Sequence, residues 1–131
     1  RVLDQVMEQF LSVDKGHIVI TGSLSGFRGL PRSIGYSASK AGVMALAESL
    51  YADLRTTGIR VQIANPGFIK TRLTEKNSFN MPFIMSADEA ADHMMRHMRS
   101  TRFKYSFPTL FSWLFRSGQF LPDWLYYRIF S

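Results

Sequence analysis

A chain of 131 residues and 15.0 kDa makes about one domain, and a hydrophobic content of 46% supplies enough apolar mass for a real core, which excludes a disordered polypeptide. The absence of cysteine excludes a disulfide framework and a thiolate metal site and suits a reducing compartment, so a cytoplasmic address is expected. The formal charge of +6 is skewed: from residue 96 onward Arg96, Arg99, Arg102, Lys104, Arg116 and Arg128 face Asp123 alone, while the first 95 residues are nearly neutral.

Such a skew suits an anionic partner, either nucleic acid or a membrane surface. No Cys/His finger spacing, RNP-like aromatic strand or helix-turn-helix pattern accompanies it, so no nucleic-acid partner is expected. The chain opens on no basic-then-apolar leader, and its longest charge-free aromatic run, Tyr105 to Phe115, is too short to span a bilayer.

In chain order, Val2, Leu3, Val6, Met7, Phe10 and Leu11 fall at helical spacing, and Gly16 suits a C-terminal cap. That helix lacks a capping residue and an initiator Met before it, so the chain is expected to begin inside a larger protein. Residues 17–21 are apolar and β-branched without alternation, which predicts a strand buried on both faces. A glycine-punctuated loop of a dozen or so residues follows. Residues 33–57 then carry apolar side chains, from Val43 to Leu54, over most of a helix circumference. Gly58 ends the helix, residues 59–65 read as a second buried strand, and Asn65 to Gly67 read as a turn.

Beyond a loop rich in Asn, Ser and Pro, Ser86 to Glu89 form a capping box. Ala87, Ala90, Ala91, Met94, Met95 and Met98 are expected on the inner face of the helix that follows. Residues 102–107 read as a last strand, with two short helices divided around Gly118 and Pro122. Strands alternating with helices predict an α/β domain with a doubly wound parallel sheet in right-handed βαβ units. Residues 1–107 would form half of such a domain and residues 108–131 an aromatic, basic helical extension.

Residues 20–29, ITGSLSGFRG, look like a glycine-rich phosphate loop, but that use requires a helix to open at once, and Gly29, Pro31 and Gly35 interrupt it. The stronger signal is Tyr36 to Lys40, YSASK. At i and i+4 a phenol and an ammonium share one helix face, and a neighbouring cation favours the ionised phenol, so a Tyr so placed can exchange a proton near neutral pH. Ser23 ends the strand before it and Asn65–Pro66–Gly67 end the strand after it. In open α/β sheets ligands bind outside the carboxyl ends of strands, so all three elements converge on one edge.

With Ser23, Tyr36-x-x-x-Lys40 and Pro66-Gly67-x-x-x-Thr71 in this order, the chain resembles the C-terminal half of a short-chain dehydrogenase/reductase, a Rossmann-like fold. The resemblance implies an NAD(P)-dependent oxidoreductase of alcohol and carbonyl substrates. Tyr36 would exchange the proton, Lys40 would assist it and hold the nicotinamide ribose, and Ser23 would hydrogen-bond the substrate oxygen. Pro66, Gly67, Ile69 and Thr71 would meet the carboxamide end of the nicotinamide. The family's N-terminal Gly-rich loop, its cofactor-selecting residue and its catalytic Asn have no counterpart in these residues, so the chain alone is expected to be inactive. The apolar third helix and aromatic tail suggest a lipophilic substrate, and the broad apolar surface of the Tyr36 helix suggests a homo-oligomer.

Other residues have plainer readings. His93 and His97 lie on a row with Glu89 that would oppose the Ala/Met face, so a solvated face is expected and no metal site. Asn65 is read as a turn residue, and Arg28 and Arg32 as solvated rather than as receivers of an anionic substrate. Residues 103–131 hold 11 of the 18 aromatic residues, which leaves two readings open: closure of a pocket, or an interfacial segment with Trp113, Phe115, Trp124 and Tyr127 at a membrane surface and Arg116 and Arg128 toward anionic lipid. A non-enzymatic alternative is a truncated chain that serves as an interaction module through this tail.

Overall fold

The computed structural model describes residues 2–72, 74 and 81–130. Its elements are α1 (Val2–Ser12), β1 (Gly16–Thr21), a 3-10 turn (Leu24–Gly26), α2 (Ile34–Leu54), β2 (Ile59–Pro66), α3 (Ala87–Arg99), β3 (Lys104–Phe107), α4 (Thr109–Gly118) and α5 (Asp123–Phe130). β1 pairs with β2 in parallel from Gly16 beside Ile59 to Thr21 beside Ala64, and β2 pairs with β3 in parallel from Ile63 beside Lys104 to Pro66 beside Phe107. The order is β1-β2-β3, and parallel neighbours need crossovers, which α2 and α3 supply.

The two-residue period of β2 divides the core. Ile59, Val61 and Ile63 pack with Met44, Ala47 and Leu54 of α2, and Leu3, Met7 and Phe10 of α1 join that side. Ala64 looks the other way, with Ala90 of α3, Met85 and Phe107. Helices therefore cover both faces of the sheet, and the fold is Rossmann-like α/β.

Gln62, wholly buried in β2, has apolar chain neighbours yet forms a polar joint. Its amide nitrogen shares two hydrogens among the carbonyls of His97 (2.9 Å), Ser100 (3.0 Å) and Arg102 (2.9 Å), and its carbonyl meets Nε2 of His17 at 2.7 Å. The corner between α3 and β3 is thus bonded from inside the protein as well as by Ser100, whose N–H and hydroxyl donate to the His97 carbonyl.

Several local expectations are corrected. Gly16 does not cap α1. Asp14 takes the left-handed conformation (φ 46°), with Lys15 N–H donating to Phe10 and Asp14 N–H to Leu11. Gly16 is instead needed because a Cβ there would lie 2.2 Å from the Phe10 ring. β1 is not buried on both faces: only Ile18 is buried, because β1 is an edge of the described sheet. The loop before α2 is shorter than expected, since the 3-10 turn takes its first residues. Asn65 is no turn residue; β2 runs through Pro66, and Asn65 is fully buried with Nδ2 3.4 Å from Ser106 Oγ.

The capping box stands, with Ser86 Oγ accepting from Glu89 N–H and Glu89 accepting from Ser86 N–H at 2.8 Å, which holds the Glu89 carboxyl below its usual range. The inner face of α3 is rotated from the expected one. Ala87, Ala91 and Met95 are exposed, whereas His97 is 3% exposed, donating from Nε2 to the Ile63 carbonyl at 3.1 Å. His93 stacks on Phe107 (centroids 4.8 Å, 8°) and meets Tyr105 Oη at 2.7 Å. The inner face thus carries His93 and His97 on the aromatic surface of β3, with Ala90 and half-buried Met94 beside them.

Candidate active site

The carboxyl ends of β1 and β2 place the predicted residues. Ser23 follows β1 in extended conformation (φ −166°, ψ 155°) and caps the 3-10 turn, where its Oγ accepts from Ser25 N–H at 3.3 Å and Ser25 Oγ at 2.9 Å. Ser23 is buried. With its acceptor capacity turned toward Ser25, its own O–H is left to donate.

Tyr36 lies in the first turn of α2 and is 51% exposed. Lys40, one turn on, has its Nζ 5.8 Å from the centre of the Tyr36 ring and donates to the Thr21 carbonyl at 3.1 Å. One of the three ammonium hydrogens is used there, and the remaining two suit neighbouring hydroxyl oxygens such as a vicinal diol, so this donor set fits the ribose of a nucleotide cofactor.

Close backbone approach holds these parts together. A Cβ on Gly22 would lie 2.0 Å from Asn65 Oδ1, and one on Gly26 would lie 2.9 Å from the Lys40 carbonyl carbon and 2.6 Å from Met44 S. The turn carrying Ser23 is thus seated against both the end of β2 and the Lys40 turn of α2. Pro66 is buried as the last residue of β2. Gly67 donates its N–H to Phe107 (2.7 Å), and Leu24 Cδ1 lies 3.3 Å from its would-be Cβ.

Ile69 bridges to Met85 and packs beside Ala64. Thr71 is exposed, its N–H donating to Thr74 Oγ1 at 2.8 Å, and Thr74 Oγ1 in turn donates to the Ile69 carbonyl at 2.8 Å. Thr74 therefore ties Ile69 to Thr71 in one turn.

Two residues were not singled out as site parts by sequence reasoning. Ser25 braces Ser23, and the only signal for it is the i, i+2 spacing of hydroxyls after a strand. Arg28, expected to be solvated, is instead turned inward. Its guanidinium donates to the carbonyls of Gly118 (2.8 Å) and Leu121 (2.7 Å), pairs with Asp123, and lies 4.0 Å over the Tyr126 ring. The tail itself divides: Phe111, Phe115 and Tyr126 are buried, with the two phenylalanines packing on Leu24, while Leu110, Trp113, Phe120 and Trp124 are exposed. No described helix is long and apolar enough to cross a membrane.

A family model described as short chain dehydrogenase matches residues 1–81. The chain belongs to the short chain dehydrogenase family. An uncharacterized oxidoreductase of Myxococcus xanthus is 40% identical over 124 residues, covering 95% of this chain and 49% of that protein. Among solved structures, a short chain dehydrogenase from Burkholderia cenocepacia in complex with NADP shares the fold at a TM-score of 0.78 and 21% identity, covering 96% of this chain and 53% of that one. A short-chain dehydrogenase from Sphingobium yanoikuyae in complex with NADPH has a TM-score of 0.65 at 27% identity, covering 78% of this chain and 41% of that one. The chain spans about half the length, or less, of the curated relatives it matches.

Proposed function

We propose that the protein to which this chain belongs is an NAD(P)-dependent oxidoreductase that interconverts a carbonyl compound and its alcohol, with Tyr36, Lys40 and Ser23 as its reacting groups. The observation that carries this reading is the exposed Tyr36 phenol one turn from a Lys40 ammonium tethered to the end of β1. A nicotinamide cofactor is supported by family membership and by the NADPH held in the Sphingobium yanoikuyae enzyme. When bound, it supplies the hydride for reduction.

In the reductive direction Tyr36 donates its phenolic proton to the carbonyl oxygen, and in the oxidative direction it takes that proton back from the alcohol. The Ser23 O–H donates a hydrogen bond to the same oxygen and holds it against the phenol. Lys40, its ammonium 5.8 Å from the centre of the Tyr36 ring, binds ribose hydroxyls with the hydrogens not spent on Thr21. The backbone from Pro66 through Gly67 and Ile69, with the Thr71 hydroxyl, receives the carboxamide end of the nicotinamide.

The substrate is read as lipophilic, because the phenylalanines of α4 close over Leu24 beside Ser23. Self-association runs through α2, whose outward Ala38, Ala41, Ala45 and Leu46 offer a close-packing apolar face. Residues 1–131 by themselves are expected not to turn over.

The test is Tyr36→Phe in the complete natural protein, assayed for NADPH- and NADH-dependent reduction of methyl ketones. The expected result is a fall in kcat of about 10²–10⁴-fold, the usual weight of a positioned acid. Unchanged turnover would overturn the assignment. A second reading, an interaction module meeting an anionic membrane surface, is favoured by the exposure of Leu110 (75%), Phe120 (87%) and Trp124 (69%) together with Arg116 and Arg128.

A further inference from the structure

The loop between Ser23 and Tyr36 is gripped at its midpoint by the end of the chain. Arg28 sends Nη1 to the carbonyls of Gly118, the last residue of α4, and Leu121 in the turn after it, and Nη2 to Asp123 at the start of α5. A cation at the end of one helix and a carboxylate at the start of the next are both favourably placed in the helix fields. Two bonds return: Tyr126 Oη donates to the Gly29 carbonyl at 2.9 Å and Gln119 Nε2 to the Phe27 carbonyl at 3.1 Å. The guanidinium is sandwiched rather than free, with its side chain 17% exposed and the Tyr126 ring under its face.

From this grip the loop leads directly to both proposed reacting hydroxyls. Upstream, Phe27 N–H closes onto the Leu24 carbonyl, next to Ser23. Downstream, Leu30 N–H points at Ser37 Oγ (3.4 Å), the buried neighbour of Tyr36, and Ser37 N–H donates to Ser33 (2.8 Å). Three of the five N–H donors of Arg28 are bonded to the hairpin and its face lies on Tyr126, so it acts through the loop it anchors.

Building on the function proposed above, we infer that Arg28 is a positioning residue: it couples the α4–α5 hairpin to the Ser23–Tyr36 loop, so that the setting of the two reacting hydroxyls depends on residues 118–130. The planar fork matters. A lysine would bring the charge but could not serve two carbonyls and a carboxylate while lying flat on Tyr126.

The test compares Arg28→Lys, Arg28→Ala and Tyr126→Phe with the parent in the complete natural protein, using NADPH-dependent reduction of 2-octanone and backbone hydrogen exchange. Arg28→Lys is expected to lower kcat roughly tenfold while KM for NADPH stays within about twofold, the mark of misplaced groups rather than lost cofactor binding. Exchange rises at residues 28–37 together with 119–127. Tyr126→Phe gives a smaller fall and adds nothing in the Arg28→Ala background. Parent-like kcat in Arg28→Lys, or exchange that rises in the hairpin and leaves 28–37 unchanged, overturns the coupling. Should Arg28→Ala fail to fold, Arg28→Lys and Tyr126→Phe decide. A parent protein that reduces no ketone would count against the oxidoreductase reading, and the exchange comparison would still decide the coupling.

Discussion

The ammonium of Lys40 is tied to the carbonyl of Thr21 at 3.1 Å, which joins the second turn of α2 to the last residue of β1. The charge of the proposed site is therefore fixed by the sheet as well as by its own helix. Lys40→Met removes the charge and the tether together and is expected to abolish turnover to a degree similar to Tyr36→Phe. Lys40→Arg keeps the charge on a longer, planar group and is expected to retain partial activity with a raised KM for the nicotinamide. Steady-state kinetics on both variants checks this, and equal activity in Lys40→Met and the parent would remove Lys40 from the mechanism.

Ser25 provides a second, subtler handle. Its hydroxyl donates to Ser23 Oγ at 2.9 Å, and both are buried. In Ser25→Ala the Ser23 hydroxyl loses that donor and can rotate, so kcat is expected to fall roughly tenfold with the fold intact. Ser23→Ala should cost more, and the double variant no more than Ser23→Ala alone.

Packing around the site leaves no room for a methyl group at two glycines. Gly22→Ala would push a Cβ to 2.0 Å from the Oδ1 of fully buried Asn65, and Gly26→Ala would meet the Lys40 backbone at 2.9 Å. Each is expected to lower stability by about 1–3 kcal/mol through overpacking. Gly29→Ala, with nothing within 4 Å of its would-be Cβ, is the control. Chemical denaturation of the three variants provides the comparison.

Burial holds His97 below the ordinary imidazole value, against its bond to the Ile63 carbonyl, and burial also lowers His93, with Arg96 adding to it. The unfolded chain then takes up protons at a pH where the native chain does not. The resulting stability is complete above the unfolded value of about 6.5 and is lost as pH falls toward the lowered native values. Thermal midpoints are expected to drop as pH decreases below about 6.5, and His93→Gln with His97→Gln should flatten that slope. An unaltered slope in the double variant would assign it to carboxylates instead.

The outer surface of the tail makes its own prediction. If Trp113 and Trp124 seat at a headgroup layer, co-sedimentation with phosphatidylserine vesicles should fall roughly tenfold or more when both become Ala, and should weaken with added salt. Binding to neutral vesicles of equal strength would count against the basic residues, and no change on substitution would remove the membrane reading.

What was legible in the sequence was whatever a local rule controls. The capping box at Ser86 and Glu89 needs only four residues, and the order of Ser23, Tyr36, Lys40 and Pro66-Gly67 follows from strands that all end at one edge. What escaped depends on partners distant along the chain. Arg28 looked solvated because its acceptors begin 90 residues later at Gly118. His97 reads as exposed because its row opposes the Ala/Met face of the helix, whereas that row packs on the aromatic rings of β3. Asn65 looked like a turn because Pro and Gly follow it, yet the ladder to β3 runs on through Pro66 and keeps the backbone extended.

Gln62 shows how a single interior amide can reinforce a corner that Ser100 also ties from within the loop. By collecting the carbonyls of His97, Ser100 and Arg102, it lets the chain reverse from α3 into β3 without a glycine or proline at the bend. With the corner held by Gln62 from within the sheet and by Ser100 in the loop, the side chains of Arg99 and Arg102 are left at the surface, where they add to the positive charge of this end of the molecule.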